Sequence, residues 1–366
     1  MDGPGQRRQP GRLSRLLPGG RAGRIAGIVG LGLVLGLVTW FVWPSGHTTP
    51  TGQQSPTTGT TANSASPAGS PSGSATPSLS ASPTPSTARS TTLPPPPRES
   101  EAKPGPGNTG VPPGTALTVV SGDQTYSTAG QVVSGLDIHG FVKVTAKNVT
   151  IRNSIIRGGP NPKCNSSVLW IANGASASVT DTEIAPSNAN ACLDGVWATS
   201  ATLTRMNIHG AVDGVKAYDN VTIVDSYIHD LAYFSSDPNQ NGGPTHNDAV
   251  QTYEGNQHIV IRHNTFDLST SQDPNATYQL TQDGGKVATD IHIDSNWLDG
   301  GGCTLNFSHK GGPTPMTGIY VTNNRFGRHS FFNCPILIST QTVLSQNAGN
   351  VWDDTGAAIP KPQQHD

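Results

Sequence analysis

The sequence predicts that the C-terminal two-thirds of the chain form an all-β solenoid, a single-stranded parallel β-helix. A short apolar-x-apolar segment recurs seven times between residues 149 and 328, with starts 20 to 38 residues apart. These segments have a period of two and are rich in β-branched residues, which is typical of short strands. A short minimum spacing with a variable excess indicates one structural coil that carries loops of different length. We therefore expect about eight stacked coils, with neighbouring strands about 4.8 Å apart.

Each repeat follows the apolar-x-apolar segment with two polar residues and then with Asn, Ser or Thr, as in VTIRNSIIRG at 149–158. A second strand completes each unit, for example DGVWAT at 194–199 and DAVQTY at 248–253. Side chains at equivalent positions of stacked coils can hydrogen-bond along the axis. We expect such a structural stack from Ser154, Ser226, Asn264, Asn296 and Asn324.

The segments NVTIRNSIIRG and DNVTIVDSYIHDL resemble the pectate-lyase-like superfamily of right-handed parallel β-helices, over about residues 115–352. The resemblance implies a right-handed solenoid. That superfamily includes polysaccharide lyases, glycoside hydrolases, uronan epimerases and binding proteins without catalysis. The chain shows neither the paired-Asp motifs of the hydrolases nor the DPHD motif of the epimerases, so no subfamily is assigned.

The N-terminal region has the pattern of a membrane anchor. Residues 1–24 carry six arginines against one acid and are predicted to be a cytoplasmic basic tail. Residues 25–43 hold no charge and are just long enough to cross a bilayer core of about 30 Å as a signal-anchor helix. The alternative is a cleaved signal peptide and a secreted protein, but no small-x-small cleavage site follows Trp43. We expect a single-pass protein of the cell membrane with an extracellular C-terminal domain.

The composition then divides the remaining chain. Residues 44–113 are rich in Ser, Thr, Pro and Gly and cannot bury enough apolar surface to fold, so they are predicted to be a disordered linker. The β-helix domain is predicted over 114–352, followed by a C-terminal tail over 353–366. A formal net charge of -2 does not indicate nucleic acid as a partner. We expect a monomer.

The four cysteines all lie in the predicted β-helix. An even number in an exported chain favours disulfides, and each pair of cysteines is about one coil apart. Neighbouring coils bring such residues to the Cα distance that a disulfide needs. The sequence therefore predicts Cys164–Cys192 and Cys303–Cys334.

Stacking the second strands in register divides their side chains between the core and one outer face. The inward column reads Leu169, Val196, Val215, Val250, Tyr278, Leu305 and Leu337. Aromatic rings stack on sugar rings and amides bind hydroxyl groups, so the outward side chains predict a groove for a polysaccharide or cell-wall glycan. The predicted substrate-binding residues are Trp170, Trp197, Tyr218, Gln251, Tyr253, Gln279 and Asn306.

The candidate catalytic residues fall in adjacent predicted coils: Lys216, Asp213, Asp248, His246 and His229. Lyase-type cleavage of an acidic polysaccharide is the first expectation. Lys216 would be the base that removes the C5 proton of a uronic acid, and Asp213 and Asp248 could hold Ca²⁺. No other metal ligand is identified.

Several alternatives stay open. In a glycoside hydrolase, Asp213 and Asp248 would be the acid and the base. In a uronan epimerase, His246 and Lys216 would act on opposite faces of the sugar. A non-catalytic glycan-binding or adhesion protein, or a purely structural solenoid, would need none of these roles, since Asp also suits turns for structural reasons.

Overall fold

A computed structural model describes residues 102–311 and 313–365, and it shows stacked parallel strands in three sheets. All pairings between named strands are parallel and join each strand to its equivalent in the next coil, about 20 to 40 residues along the chain. This is the arrangement of a parallel β-helix, as the repeat predicts. Two sheets of ten strands and one of nine exceed the predicted eight coils.

The first sheet contains short strands, several of only two residues. Its strands are β1 (Thr118–Ser121), β4 (Leu136–His139), β7 (Ile155–Ile156), β10 (Glu183–Ile184), β13 (Asn207–Ile208), β16 (Tyr227–His229), β19 (Thr265–Asp267), β22 (Trp297–Asp299), β25 (Arg325–Phe326) and β28 (Val351–Trp352).

The second sheet is formed by the second strand of each sequence repeat. Its strands are β2 (Gln124–Tyr126), β5 (Val142–Val144), β8 (Ser166–Ile171), β11 (Leu193–Ala198), β14 (Val215–Ala217), β17 (Asp248–Tyr253), β20 (Ala276–Gln282), β23 (Leu305–His309), β26 (Ile336–Ile338) and β29 (Gln363–Gln364).

The third sheet contains the apolar-x-apolar segments. Its strands are β3 (Val132–Ser134), β6 (Val149–Arg152), β9 (Ala177–Thr180), β12 (Ala201–Thr204), β15 (Val221–Val224), β18 (Gln257–Arg262), β21 (Thr289–Asp294), β24 (Met316–Thr322) and β27 (Thr342–Ala348). A short 3₁₀ helix, Pro238–Gln240, lies in the long loop between β16 and β17.

One left-handed residue turns the chain from the third sheet into the first. In successive coils this residue follows the strand directly and has a φ between 48° and 58°: Asn153, Asp181, Arg205, Asp225, His263, Ser295 and Asn323. Asn and Asp tolerate this conformation better than most residues, which explains the polar pair in the repeat. The next residue then points inward, as in Ser154, Ser226 and Asn264, all fully buried.

The predicted stack of polar side chains forms inside this corner. Asn264 Nδ2 donates to Asn296 Oδ1 at 3.0 Å, and Asn296 Nδ2 donates to Asn324 Oδ1 at 2.9 Å. Asn350 extends the stack by one coil, since its Oδ1 accepts from Asn324 Nδ2 at 3.0 Å. Each Oδ1 also accepts from a backbone N–H of the preceding coil, as Asn296 Oδ1 does from Asn264 N. These contacts satisfy polar groups that would otherwise be buried without partners.

The core inside the three sheets is aliphatic and aromatic. Val196, Val215 and Val250 are fully buried and pair in register, as predicted for the inward column. The last member is wrong by one residue, because Leu305 pairs with Ile336 and the predicted Leu337 pairs with Asn306. Both cysteine pairs, Cys164–Cys192 and Cys303–Cys334, are disulfides, with Cα–Cα distances of 4.6 and 4.7 Å.

The folded domain extends past both predicted boundaries of the β-helix, residues 114 and 352. Residues 102–113 form a strap: Gly110 N donates to Arg205 O at 2.8 Å, and Lys103 Nζ lies 3.6 Å from Asp353 Oδ2. At the other end, β29 pairs with β26 through Leu337↔Gln363, within the predicted tail. Backbone hydrogen bonds hold Gly110 and β29, so the side-chain pattern does not reveal these two contacts.

The predicted basic tail 1–24, membrane helix 25–43 and linker up to residue 101 lie outside the described residues. Over residues 102–311 and 313–365, the chain has no helix with the length and apolarity needed to cross a membrane.

Candidate functional site

One row of side chains crosses the outer face of the second sheet, as the sequence predicts. The backbone register places Trp170, Trp197, Lys216, Gln251, Gln279 and Asn306 at equivalent positions of successive strands. We call these six residues the outer row. Trp170 is 38% exposed, whereas Gln279 and Asn306 are 5% and 6% exposed. The row therefore runs from an open aromatic end to a covered amide end.

Two ring pairs lie on this face. Trp170 and Trp197 are in contact edge to face, with ring centroids 6.2 Å apart, and Lys143 Nζ lies 4.0 Å from the centre of the Trp170 ring. Tyr218 and Tyr253 are stacked with centroids 6.0 Å apart. The Tyr253 hydroxyl donates to Gln251 Oε1 at 2.6 Å, which fixes both side chains.

Three carboxyl groups lie beside the outer row in consecutive coils. Asp194, Asp213 and Asp248 occupy equivalent positions at the starts of their coils' second strands and are 3%, 4% and 1% exposed. Close backbone contact requires glycine after Asp194 and after Asp213. A Cβ on Gly195 would lie 2.5 Å from Gly214 O, and one on Gly214 would lie 2.5 Å from Ala249 O. The DG pairs thus let the coils approach where the carboxyl groups converge.

Lys216 lies between two of these carboxyl groups. Its Nζ is 2.8 Å from Asp194 Oδ2 and 3.4 Å from Asp213 Oδ2, and its side chain is 20% exposed. Trp197 Nε1 donates to the same Asp194 oxygen at 2.6 Å. Burial by itself would lower the pKa of Lys216, but the charges of Asp194 and Asp213 outweigh it and raise the pKa well above the usual value. Lys216 is therefore held as an ammonium. We call Asp194, Asp213, Asp248 and Lys216 the carboxylate cluster.

The other two carboxyl groups favour their protonated forms. Burial raises the pKa of Asp213 to about 7, although the charge of Lys216 opposes the shift. Burial, followed by the charge of Asp213, raises the pKa of Asp248 well above its usual value. Asp248 N donates to Asp213 Oδ1 at 2.9 Å, and Asn275 Nδ2 donates to Asp248 Oδ1 at 2.9 Å. The cluster thus combines Asp194, which is bound by two donors, with two carboxyl groups whose pKa values are raised by burial.

The loop 230–247 carries two further ionisable groups. Asp237 interacts electrostatically with Lys216 and Asp194, whereas no contact among the described residues joins His246 to the carboxylate cluster. Burial lowers the pKa of His246, so its imidazole is neutral at pH 7. Asp237 is 4% exposed, and burial raises its pKa, with smaller opposing effects that include the charge of Lys216. Asp237 also caps the 3₁₀ helix by accepting from Asn239 N at 2.8 Å. Asn247 Nδ2 fixes the end of the loop by donating to Val212 O at 3.0 Å and to Ala232 O at 2.6 Å.

His229 does not join this cluster. It lies on β16 of the first sheet, where Nδ1 contacts Asp230 Oδ2 at 2.7 Å and Nε2 contacts Asn207 Oδ1 at 2.9 Å. Its ring stacks on Tyr227 at 4.1 Å and on His209 at 5.0 Å. His209 is on the same sheet and contacts Glu183.

Within residues 102–311 and 313–365, no three His, Cys, Asp or Glu side chains are grouped so that they could hold a metal ion. Asp213 and Asp248, the predicted Ca²⁺ ligands, instead contact an ammonium, a backbone N–H and an amide. Compared with models of known families, with curated proteins and with solved structures, the chain has no significant match.

Two members of the site are absent from the catalytic residues that the sequence predicts, although Asp194 is placed on the same face as Asp213 and Asp248 when the second strands are stacked. Asp194 has the same DG pair as Asp213, and this shared pattern was the available signal. Asn275 lies in the 268–275 connection, with no pattern that links it to Asp248 before the coils are folded.

Proposed function

We propose that this domain is a carbohydrate-active β-helix that hydrolyses a glycosidic bond with a pair of carboxyl groups. The observation that carries the proposal is the contrast between Asp213 and Asp194 on either side of Lys216. Asp213 has its pKa raised to about 7 by burial, while Asp194 is bound by both Lys216 and Trp197. A proton-bearing carboxyl group beside a carboxylate is the pair that glycoside hydrolysis requires.

In this mechanism Asp213 gives its proton to the glycosidic oxygen as the bond to the leaving sugar breaks. Asp194 faces the positive charge that develops at the anomeric carbon and forms a glycosyl ester with it. Asp213 then takes a proton from a water molecule, whose oxygen attacks the anomeric carbon. The ester bond to Asp194 breaks, and Asp213 again holds its proton. Both Asp oxygens contact the same Lys216 nitrogen, at 2.8 and 3.4 Å, so they can be at most ~6.2 Å apart, the sum of those distances. That limit favours the retaining geometry, in which the carboxyl groups are about 5–5.5 Å apart.

The lyase mechanism that the sequence favours needs Lys216 as a base. A base must be able to accept a proton near the working pH, and Lys216 is held as an ammonium by two carboxyl groups. This feature supports hydrolysis over lyase cleavage.

The outer row supports a glycan as the partner. Trp170, Trp197 and the Tyr218–Tyr253 pair present aromatic rings, and Gln251 and Gln279 supply amide groups. Aromatic faces with a few polar groups are suited to sugar rings and their hydroxyls. The same surface would also serve a non-catalytic glycan-binding protein, which is the second candidate.

The sequence also supports inferences about the handedness of the solenoid, its superfamily and its location in the cell. We infer that the solenoid is right-handed and related to the pectate-lyase-like superfamily, since parallel crossovers are right-handed in about 98% of cases. We infer that residues 25–43 anchor the chain in the cell membrane and that the linker places the domain outside the cell. The apolar run and the arginines before it support both inferences.

The test uses the full-length chain and a panel of neutral and acidic polysaccharides, with and without Ca²⁺. New reducing ends without absorbance from unsaturated products are the expected result. Unsaturated products from a uronan would instead establish a lyase. Binding without either product would establish the second candidate.

A further inference from the structure

A cavity of about 450 Å³ opens beside the carboxylate cluster. Loops on the side of the first and second sheets form its walls, and they include His246, Asp273, Asn275, His329, Phe331 and Phe332. Its volume is within the range of about 300 to 1,000 Å³ that is usual for small-molecule sites. The mechanism proposed above does not use it.

Two phenylalanines at its edge are unusually open to solvent. Phe331 is 81% exposed and Phe332 is 62% exposed, and their rings meet edge to face with centroids 4.9 Å apart. The loop that carries them is fixed. Phe331 N donates to Gly301 O at 2.8 Å, Phe332 N donates to Gly302 O at 3.1 Å, and the Cys303–Cys334 disulfide joins the same two segments. Aromatic rings that a rigid loop leaves uncovered are typical of a binding surface.

Asn275 connects this cavity to the carboxylate cluster. It lines the cavity, and its Nδ2 donates to Asp248 Oδ1 at 2.9 Å and to Gln279 Oε1 at 3.3 Å. His246 lines the cavity two residues before Asp248. A ligand in the cavity would therefore lie against the side chain that orients Asp248, continuous with the outer row.

The lining indicates what such a ligand would be. None of the described residues that line the cavity is Lys or Arg, while Asp273 supplies a carboxyl group and Asn275 and His246 supply neutral hydrogen-bonding groups. The pKa of His329, another lining residue, is raised by its hydrogen bond to Asp299 at 2.8 Å, so that any positive charge on it is already paired. An acidic sugar would therefore find no unpaired cation among the described lining residues, whereas hydroxyls or acetamido groups would find partners. The two phenyl rings offer apolar surface to the faces of a sugar ring.

We infer that this cavity is a subsite for an uncharged sugar residue. That residue is not one of the two joined by the bond that is cut, and its ring packs against Phe331 and Phe332. The inference rests on the proposed function, because it assigns the cavity to the same glycan chain. It specifies the substrate as a neutral or N-acetylated polysaccharide that is long enough to reach from the outer row into the cavity.

The test measures binding by calorimetry to the full-length Asp213→Asn chain, which should not cut the ligand. The probes are cello-, xylo-, manno- and chito-oligosaccharides of two to eight sugars, with galacturonan oligosaccharides as the acidic series. We expect the additional Phe331→Ala and Phe332→Ala changes to weaken binding of the longer members of one neutral series roughly tenfold or more. Binding of the shortest bound member should not change, and Phe331→Trp should keep the affinity for long chains.

Val343→Ala is the matched control, because Val343 is also an exposed apolar residue, at 51%, but lies on β27 of the third sheet. Equal affinity of the double alanine variant and its parent for every length would overturn this inference and leave the hydrolase proposal intact. Tightest binding of the galacturonan series would also overturn it. If the unsubstituted chain neither binds nor cuts any series, the proposed function itself fails.

Discussion

Lys216 Nζ contacts Asp194 Oδ2 at 2.8 Å, and this ion pair lies on the outer face of the second sheet with only one-fifth of the lysine side chain exposed. The pair separates Asp194, which is bound by an ammonium and an indole N–H, from Asp213 and Asp248, whose pKa values are raised by burial. It also makes the lysine a fixed positive charge and not a base.

Replacing Lys216 with Met should destabilise the domain by about 3 kcal/mol or more at pH 8, because Asp194 would keep a buried charge without its partner. The loss of stability should be smaller at pH 5, because Asp213 already holds its proton there and needs no cation beside it. Urea unfolding at both pH values measures this. Lys216→Arg retains the charge and is the control, and an unchanged unfolding midpoint for Lys216→Met at pH 8 would refute the account of the pair.

The contribution of Asp213 to the stability of the domain should fall as the pH rises from about 4 to about 7. In this interval the unfolded chain loses the Asp213 proton, whose ordinary pKa is 3.8, while the folded chain holds it up to a pKa of about 7. The folded state therefore binds more protons, and its stability decreases with pH. Asp248 contributes in the same direction, since its pKa is also raised.

Unfolding titrations of the wild type and of Asp213→Asn between pH 4 and 8 test this slope, which the substitution should flatten. Asp354→Asn is the control. Its pKa is lowered by Arg328, so it titrates below this interval. The same pH dependence of stability in the wild type and in Asp213→Asn would contradict the assignment.

Asn296→Ala should destabilise the domain by about 3 kcal/mol, because it removes partners from the buried Asn264 amide and backbone N–H and from Asn324. Thermal or urea unfolding measures the change. Asn239→Ala provides the comparison, since its side chain makes one exposed hydrogen bond to Asn165 at 2.9 Å and should cost about 1 kcal/mol or less. Equal effects of the two changes would show that the stack is not a main source of stability.

The products should keep the anomeric configuration of the substrate. The two carboxyl groups share one ammonium and are too close for the separation of about 6.5–9.5 Å that leaves room for an attacking water. Proton NMR of the first product formed from a cleaved neutral oligosaccharide identifies its anomer. An inverted first product would show that Asp194 is not the nucleophile and would direct attention to Asp248 as a base.

The sequence was sufficient for the parts of the fold that side chains determine. The two-residue period placed Trp170 beside Trp197 and Lys216 beside Gln251 in the correct register, and the repeated Asn identified the internal stack. A period of two fixes which face each residue takes, so these relationships are readable before folding. The cysteine spacing identified both disulfides because the two members of each pair are about one coil apart.

The side-chain period does not predict the contacts that depend on the position of corners or on main-chain hydrogen bonds. His229 belongs to the first sheet because two corners and strand β15 of the third sheet separate it from Lys216, and the residue count does not show where those corners fall. In the last coil the residue that pairs with Leu305 is Ile336 and not Leu337. The strap at Gly110 and the strand at Gln363 are held by main-chain hydrogen bonds, which no side-chain pattern predicts.

The most direct test of the central claim, that Asp213 donates the proton to the leaving sugar, compares two substrates in wild type and Asp213→Asn. One is the neutral oligosaccharide that the full-length chain cleaves, and the other is the matching dinitrophenyl glycoside, whose leaving group needs no proton. The account predicts that Asp213→Asn lowers kcat on the oligosaccharide by about 10²–10⁴-fold but has a much smaller effect on the dinitrophenyl glycoside. Equal losses on both substrates, or no loss on either, would contradict the role of Asp213 as the acid.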